Sequence, residues 1–274
     1  MSQVMAFVSG KGGVGKTLLS AAFGVAAARA GKRVLLLDMD MGMGNLDLVF
    51  GLSPKYSMLG LLMGKCREKD ALLSVMPGLD FLAAHFKKDW RDVKKSDVSQ
   101  ILKEYADEYD FILLDCPAGR GKGVEFAAHV ADILYWVVGP SVASLRSAKR
   151  MALHGAETKI RALYNDFSKE DAISFSEARK ETERIPFGGL IPHSEEANRL
   201  AQQGRLAEYE ETSPFARAMA MTMRVADSAA LLSEAEFVPF SEKETRGQDS
   251  VTLSGPFRLH RLRLGARYGK RGRR

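Results

Sequence analysis

Residues 8–17 carry the sequence Val8-Ser9-Gly10-Lys11-Gly12-Gly13-Val14-Gly15-Lys16-Thr17, which contains the pattern G-x-x-x-x-G-K-T. A short apolar run precedes this stretch, and the good helix formers of residues 18–28 follow it. A strand that leads into a glycine-rich loop, which in turn opens a helix, is the context in which this pattern binds phosphate. The stretch therefore predicts a phosphate-binding loop between the first strand and the first helix.

Each residue type in this loop has a chemical reason. Glycine has no Cβ, so the backbone can curl with its N–H groups pointing at a polyphosphate, and the start of the helix adds unpaired amides. We expect Lys16 to reach the β- and γ-phosphate oxygens and the Thr17 hydroxyl to ligate Mg²⁺. The predicted nucleotide contacts in the loop are Gly10, Lys11, Gly12, Gly13, Val14, Gly15, Lys16, Thr17 and Leu18. The alternative is a glycine-rich turn with a solvated lysine.

Length and composition are those of a globular protein with a large core. The chain has 274 residues, of which 46% are hydrophobic and 27% charged, and no run of 18 or more apolar residues occurs. These values favour one large α/β domain and predict no membrane-spanning segment. The N-terminus does not show the basic-then-apolar pattern of a signal peptide, so we expect a cytoplasmic location.

The positive charge of the chain is concentrated near its C-terminal end. The formal net charge is +6, but residues 256–274 hold eight arginines and lysines and no acid, which leaves the remainder at about −2. The polar composition of residues 240–255 is typical of a linker. We therefore divide the chain into a P-loop ATPase domain over residues 1–239, a linker over 240–255 and a basic tail over 256–274.

Carboxylates follow two apolar runs of strand length. Asp38 comes after residues 34–37, and Asp115 comes after residues 111–114. Because the carboxyl ends of parallel strands meet at one edge of a sheet, both side chains should lie beside the phosphate loop. This predicts Asp115 as a Mg²⁺ ligand, direct or through water, and Asp38 as a holder of the metal's water shell or of the loop geometry.

Asp40, two residues beyond Asp38, is our prediction for the residue that orients the attacking water. Phosphoryl transfer to water depends mainly on positioning and on charge stabilisation, so one carboxylate aimed at the water suffices. The alternative is that strand-end aspartates only cap the turns that follow them.

The rest of the sequence alternates strand and helix patterns. Further strands are predicted at 79–84, 133–138 and 188–192, and helices at 96–107, 122–130, 141–154, 194–203 and 213–233. Residues 55–76 are predicted as one or two short helices, and residues 160–165 have little strand character. The alternation predicts an α/β fold with a doubly wound, mainly parallel sheet flanked by helices.

Four blocks of the sequence resemble the MinD/ParA family of P-loop ATPases. The loop K-G-G-V-G-K-T, with Lys11 as its first lysine, looks like the deviant Walker A motif of that family. Residues 37–48 and 115–119 resemble its two switch segments, residues 139–148 a later family segment, and residues 189–192 with 203–204 its late strand and helix. The similarity covers about residues 1–235 and points to the MinD and FlhG/FleN-like branches. Ser141 and Ser147 depart from the acids that the family carries in the third block.

The resemblance implies a nucleotide-driven cycle with ATP and Mg²⁺. Two subunits would close face to face on ATP, and Lys11 of each would reach the other's nucleotide, which adds it to Lys16 and Asp40 as catalytic residues. Lys11 by itself is also consistent with a contact to its own phosphates. Gly119, in the second switch, is predicted to contact the γ-phosphate through its amide, and Asn165 to contact adenine.

The implied function is a slow ATPase that acts as a dimerising switch. It would position or regulate the division site or flagella through a membrane surface or an activating protein partner. The basic tail resembles the family's C-terminal membrane-targeting segment, which implies peripheral binding to the inner face of the cell membrane. Its apolar residues do not gather on one helical face, so a tail that binds any polyanion, nucleic acid included, is the alternative.

Two other functional classes use a related loop. A DNA-partitioning ATPase would bind nucleic acid through basic residues, and the tail keeps this class open. A nucleotide-dependent reductase or metal inserter needs paired cysteine ligands. Cys66 and Cys116 are the only cysteines of the sequence and neither has a C-x-x-C partner, which disfavours that class as well as a disulfide framework.

Overall fold

The computed structural model describes residues 2–41, 44–84, 95–119, 121–153, 159–168 and 170–228. The predicted linker and basic tail, the end of the predicted domain and the last part of the helix predicted at 213–233 lie outside these ranges. None of the helices within these ranges is long and apolar enough to cross a membrane.

One eight-stranded sheet organises the fold. Its strands in chain order are β1 (Gln3–Ser9), β2 (Val34–Asp38), β3 (Leu72–Met76), β4 (Leu79–Leu82), β5 (Phe111–Ala118), β6 (Ile133–Val138), β7 (Ile160–Phe167) and β8 (Phe187–Pro192). The spatial order is β3-β4-β2-β5-β1-β6-β7-β8, and every pairing is parallel except β3 with β4. The strand that leads into the phosphate loop, β1, is therefore central, with strand ends available on both sides of the loop.

Helices cover both faces of this sheet. They are α1 (Lys16–Arg29), α2 (Met58–Leu62), α3 (Glu68–Ala71), α4 (Lys95–Tyr105), α5 (Lys122–Val130), α6 (Val142–Leu153), α7 (Phe175–Glu181), α8 (Glu195–Gln202) and α9 (Pro214–Ser228). Two short 3₁₀ helices lie at Leu48–Phe50 and Leu206–Glu208. Helices α1, α8 and α9 pack on one face in one apolar cluster, and α2 and α4 to α7 pack on the other face in a second cluster. The predicted doubly wound α/β fold is confirmed.

Burial explains why the central strands lack alternation. All five residues of β2 and all six residues of β6 are buried, because helices cover both faces of the sheet. Helix α1 is buried nearly all round for the same reason, since it lies between the sheet and α9. Continuous apolar runs are therefore the correct sequence signature of this sheet.

Two predictions about secondary structure were wrong. Residues 72–76, predicted within one or two helices, form the edge strand β3, which pairs antiparallel with β4. Residues 160–165, in which we found little strand character, lie in β7 (Ile160–Phe167), between β6 and β8. In β7 the polar Arg161, Asn165 and Asp166 interrupt the apolar pattern, and the tertiary environment rather than local propensity makes this segment a strand.

Candidate nucleotide site

The phosphate loop adopts the backbone conformation that its glycines predict. Gly13 has φ +77° and Gly15 has φ +90°, which is the left-handed region that side chains disfavour. Gly15 is also the N-terminal cap of α1, so Lys16 is the first helical residue. Its side chain is buried, although lysine is normally exposed. A buried cation at a helix N-terminus attracts anions, as phosphate binding requires.

Gly10 allows a close approach between the loop and α6. A Cβ at Gly10 would lie 1.4 Å from the Ser147 hydroxyl oxygen and 3.4 Å from the ring of Trp136. Any larger residue would therefore push the loop away from α6. Ser147, one of the departures from the family pattern, thus contacts the phosphate loop itself.

Thr17 and Asp115 form the metal side of the site. The Thr17 hydroxyl donates a hydrogen bond to Asp115 Oδ2 at 2.7 Å. Asp115 Oδ1 is buried and has no hydrogen-bond partner among the described residues. Burial raises the pKa of Asp115 to about 6, against the hydrogen bond from Thr17 and the charge of Lys16. A hydroxyl and an unsatisfied carboxylate oxygen are hard oxygen ligands, so these residues fit Mg²⁺ or its bound water.

Asp38 is a buried partner of this pair. It lies directly opposite Asp115 in the β2–β5 register, and its Oδ1 accepts the Asp40 N–H at 2.8 Å. Burial and the neighbouring charge of Asp115 raise the pKa of Asp38 to about 8. The two carboxyls therefore resist ionising together unless a cation joins them.

Asp40 lies two residues beyond Asp38, just after the end of β2, and is half-buried. Partial burial raises the pKa of Asp40, while Lys16 opposes the shift. The structure thus brings Asp40, Lys16 and Asp115 to one side of the phosphate loop, as the strand-end argument predicts. The role of Asp40 in orienting water stays a prediction.

Lys11 and Gly119 lie on the exposed side of the loop. The Lys11 side chain is exposed. Gly119 has φ +96°, and its amide donates to the Ser9 carbonyl oxygen at 2.9 Å. A contact between this amide and a γ-phosphate would have to replace that hydrogen bond. The segment therefore has two alternative hydrogen-bonded states, as a switch requires.

A cavity of about 230 Å³ opens on the other side of the loop. Its lining comes from the phosphate loop, α1, the turn after β6, the end of β7 and α8. The lining residues are Gly13, Val14, Gly15, Leu18, Gly139, Pro140, Ser141, Asn165, Asp166 and Asn198. Mixed apolar and polar walls beside a phosphate loop fit the base of a nucleotide, and we call this cavity the base pocket.

Asn165 joins the base pocket to the phosphate loop. It is buried, and its amide nitrogen Nδ2 donates to the Val14 carbonyl oxygen at 3.0 Å. A Cβ at Gly15 would lie 2.4 Å from the same nitrogen. Asn165 therefore braces the loop from β7, in addition to lining the pocket. Its contact with adenine stays a prediction.

Sequence reasoning missed half of the base pocket. The lining residues that were not predicted to contact nucleotide are Gly139, Pro140, Ser141, Asp166 and Asn198. The first three follow β6, Asp166 lies near the end of β7, and Asn198 lies in α8. Position at a strand end is the signal that could have found the first four. Their convergence depends on the order of the strands, which a single sequence does not give.

Comparisons with known proteins agree with this geometry. Residues 5–207 match the CobQ/CobB/MinD/ParA nucleotide binding domain. The septum site-determining protein MinD of Helicobacter pylori is 30% identical over 262 residues, which cover 89% of this chain and 96% of that protein.

Solved structures show the same likeness. A chain of the MinC:MinD cell division protein complex of Aquifex aeolicus is similar with a TM-score of 0.72 at 29% identity, covering 85% of this chain and 98% of that chain. The septum site-determining protein MinD of Pyrococcus horikoshii, complexed with Mg-ADP, gives a TM-score of 0.70 at 28% identity, covering 85% and 100%. The resemblance inferred from the four sequence blocks is confirmed. This chain belongs to the CobQ/CobB/MinD/ParA family of nucleotide-binding domains.

Proposed function

We propose that this protein is a slow Mg²⁺-dependent ATPase that works as a dimerising switch and positions the division site. The observation that carries the proposal is the Thr17–Asp115 hydrogen bond next to a buried Lys16, with the base pocket on the opposite side of the same loop. The residues for metal and phosphates therefore lie on one side of the phosphate loop, and the base pocket lies on the other. The septum site-determining relatives support the cellular role.

Binding follows from the loop and the two sides of the site. The loop amides and Lys16 hold the β- and γ-phosphates, and the pocket between Pro140 and Asn198 holds adenine. Thr17 and Asp115 would hold Mg²⁺, and Asp38 would hold its water shell. The metal, when bound, neutralises charge on the phosphate oxygens.

Hydrolysis depends on Asp40 in this proposal. The backbone N–H of Asp40 is fixed by Asp38, so the turn that carries its carboxylate is held in place. The partial burial that raises its pKa makes this carboxylate a better proton acceptor than a solvated aspartate. Asp40 orients the attacking water and accepts its proton.

The switch acts through association of two subunits and a partner protein. Lys11 is exposed on the phosphate loop, where it can reach a second subunit's nucleotide. Val142, at the start of α6 beside the base pocket, is an exposed large apolar residue that a partner protein could cover. The MinC:MinD complex supports a protein partner. In this proposal an activating protein partner stimulates hydrolysis. The basic tail, residues 256–274, adds peripheral attachment to an anionic membrane.

A DNA-partitioning ATPase is the second candidate function. The eight cations of residues 256–274 favour it as well as membrane attachment, because each would also bind a phosphate backbone. The nucleotide chemistry is the same in both proposals, so only the surface that the dimer binds distinguishes them.

The test of the ATPase uses two variants of the site. We expect Lys16→Ala to lose ATP binding, since Lys16 is the buried cation of the loop at the start of α1. Asp40→Ala should keep ATP binding and lower turnover by about 100-fold or more, the usual contribution of a positioned base. Binding is measured by titration calorimetry, and turnover by phosphate release with Mg²⁺.

Asp107→Asn is the matched control, because Asp107 is an exposed carboxylate that follows α4 and precedes the amino end of β5. It should behave as wild type in both assays. Turnover by Asp40→Ala at the wild-type rate would show that another group orients the water. Absence of ATP binding by the wild-type protein would refute the proposed function.

A further inference from the structure

Asp166 lines the base pocket in an unusual backbone conformation. Among the described residues it is the only non-glycine with a positive φ, +67°. It lies at an irregularity of the β7–β8 pairing, between the paired positions Asn165–Ile191 and Phe167–Pro192. A bulge removes one residue from the strand ladder and re-aims its side chain, and bulges recur beside functional sites. The conformation is accepted because aspartate and asparagine tolerate the left-handed region.

His193 holds the Asp166 carboxylate. His193 Nδ1 and Asp166 Oδ1 are 2.5 Å apart, and His193 follows β8 directly, one residue before the Ser194 cap of α8. Within the described part of the chain, His193 is the residue that bonds this carboxylate, and it uses Oδ1. The second oxygen, Oδ2, is left for a ligand. Both side chains are about half exposed, at 45% and 47%, so a ligand can reach them.

The chemistry of these groups distinguishes the two purines at position 6. A carboxylate only accepts hydrogen bonds. The exocyclic amino group of adenine donates at position 6, whereas guanine carries an accepting oxygen there. The neighbouring Asn165 directs its amide nitrogen at Val14, so this donor faces the loop and not a base oxygen. An acceptor at this wall of the pocket therefore favours adenine and repels the guanine oxygen.

We propose that Asp166, positioned by His193, accepts a hydrogen bond from the 6-amino group of adenine and thereby makes the pocket select ATP over GTP. The inference rests on the proposed function, because it requires the base to occupy this pocket. Asp166 is the specificity-determining residue, and His193 is its positioning residue.

The test combines changes in the residue with changes in the base. Asp166→Gly removes the carboxylate and keeps the left-handed backbone, which glycine adopts freely. Asp166→Asn keeps the shape and the backbone but adds a donor. Affinities are measured for ATP, for GTP and for purine riboside triphosphate, which lacks the 6-amino group. Wild type should bind ATP about tenfold more tightly than purine riboside triphosphate, the scale of a hydrogen bond to a charged group.

The variants should change these ratios in different ways. Asp166→Gly should bind ATP and purine riboside triphosphate equally, and Asp166→Asn should gain affinity for GTP. His193→Ala should lower the ratio of the affinities for ATP and purine riboside triphosphate about threefold. Its thermal unfolding midpoint should stay unchanged, since a half-exposed pair adds little stability. Glu195→Gln, an exposed carboxylate in the first turn of α8, is the control for general charge effects and should keep every ratio.

Three results would overturn the inference. The first is the same ATP to purine riboside triphosphate ratio in wild type and Asp166→Gly. The second is a larger loss of affinity for GTP than for ATP in Asp166→Gly. This result would mean that the wild-type carboxylate accepts hydrogen bonds from the N1 and 2-amino donors of guanine. The third is that the wild-type protein binds none of the triphosphates. This result would refute the proposed function itself, and the wild-type titration alone is enough to detect it.

Discussion

At the scale of single residues, the paired carboxyls Asp38 and Asp115 dominate the energetics of the site. Burial raises both pKa values, to about 8 for Asp38, where the charge of Asp115 adds to the shift, and to about 6 for Asp115, where the charge of Asp40 adds to it. Each group therefore binds protons more strongly in the folded chain than in the unfolded chain, where an aspartate titrates near 3.8. Ionisation of both carboxyls is unfavourable without a cation and becomes favourable when a cation binds. Metal affinity and the free energy of unfolding are therefore linked.

The sign of this effect on stability can be predicted. Because the folded state holds the extra protons, the stability that they contribute is complete below pH 3.8 and is lost as the pH rises through the folded pKa values. Between pH 6 and 8 the remaining change belongs to Asp38. We expect the free energy of unfolding of the metal-free and nucleotide-free protein to fall by about 1 kcal/mol per pH unit in this window, by urea titration.

Asp38→Asn is the matched variant, since an amide can still accept the Asp40 N–H and does not ionise. Its free energy of unfolding should be nearly flat between pH 6 and 8. Mg²⁺ with nucleotide should also flatten the wild-type profile. A wild-type protein that is more stable at pH 8 than at pH 6 would contradict the assigned ionisation of Asp38.

At the scale of elements, the site depends on how β7 meets the phosphate loop. The Asn165 Nδ2 to Val14 carbonyl bond joins the end of β7 to the turn before α1, at 3.0 Å and out of solvent. Gly15 leaves the space in which this amide lies. The contact shapes the loop before any nucleotide arrives, so it contributes to the stability of the empty protein.

We expect Asn165→Ala to lower the free energy of unfolding without nucleotide by about 1 kcal/mol, the usual value of a hydrogen bond. Asn165→Asp should cost more at neutral pH, because it buries an acceptor that faces the Val14 carbonyl oxygen. Urea unfolding curves measure both effects. Asn198→Ala is the control, since Asn198 lines the base pocket from α8. Unchanged stability of both Asn165 variants would mean that Asn165 only contacts the base.

At the scale of the whole molecule, nucleotide chemistry must be coupled to a surface. The described residues carry the site, whereas residues 256–274 hold eight basic residues and no acid. Each basic residue near an anionic leaflet contributes about 1 kcal/mol, and a dimer carries two tails where a monomer carries one. ATP-driven association through Lys11 should therefore strengthen surface binding without any change in the tail itself.

We expect sedimentation with anionic phosphatidylglycerol vesicles to increase with ATP in the Asp40→Ala protein, because this variant should hydrolyse bound ATP very slowly. Deletion of residues 256–274 should abolish binding, and Lys11→Ala should remove the increase with ATP. Neutral phosphatidylcholine vesicles and duplex DNA are the comparison surfaces. Preference for DNA over vesicles would favour the partitioning function. Full binding by the truncated protein would place the docking surface within residues 1–255.

The sequence by itself determined the phosphate loop, the two carboxylate-bearing strands, the parallel α/β class and the family. These features are local: four glycines, Lys16 and Thr17 lie within residues 10–17, and a buried strand shows as an unbroken apolar run such as residues 34–37. Helix α5 and strand β6 were likewise predicted with their observed bounds, 122–130 and 133–138.

Only the tertiary structure decided the rest of the site. Asn165 and Val14 are 151 positions apart in the chain, and Asp166 and His193 are 27 apart, so no local pattern shows that either pair meets. The raised pKa of Asp38 likewise requires both its burial and the neighbouring Asp115, which come from the sheet order. Strand β7 was missed because polar residues interrupt its apolar pattern. Two of them, Asn165 and Asp166, line the base pocket, and the pairing with β6 and β8 outweighs local propensity.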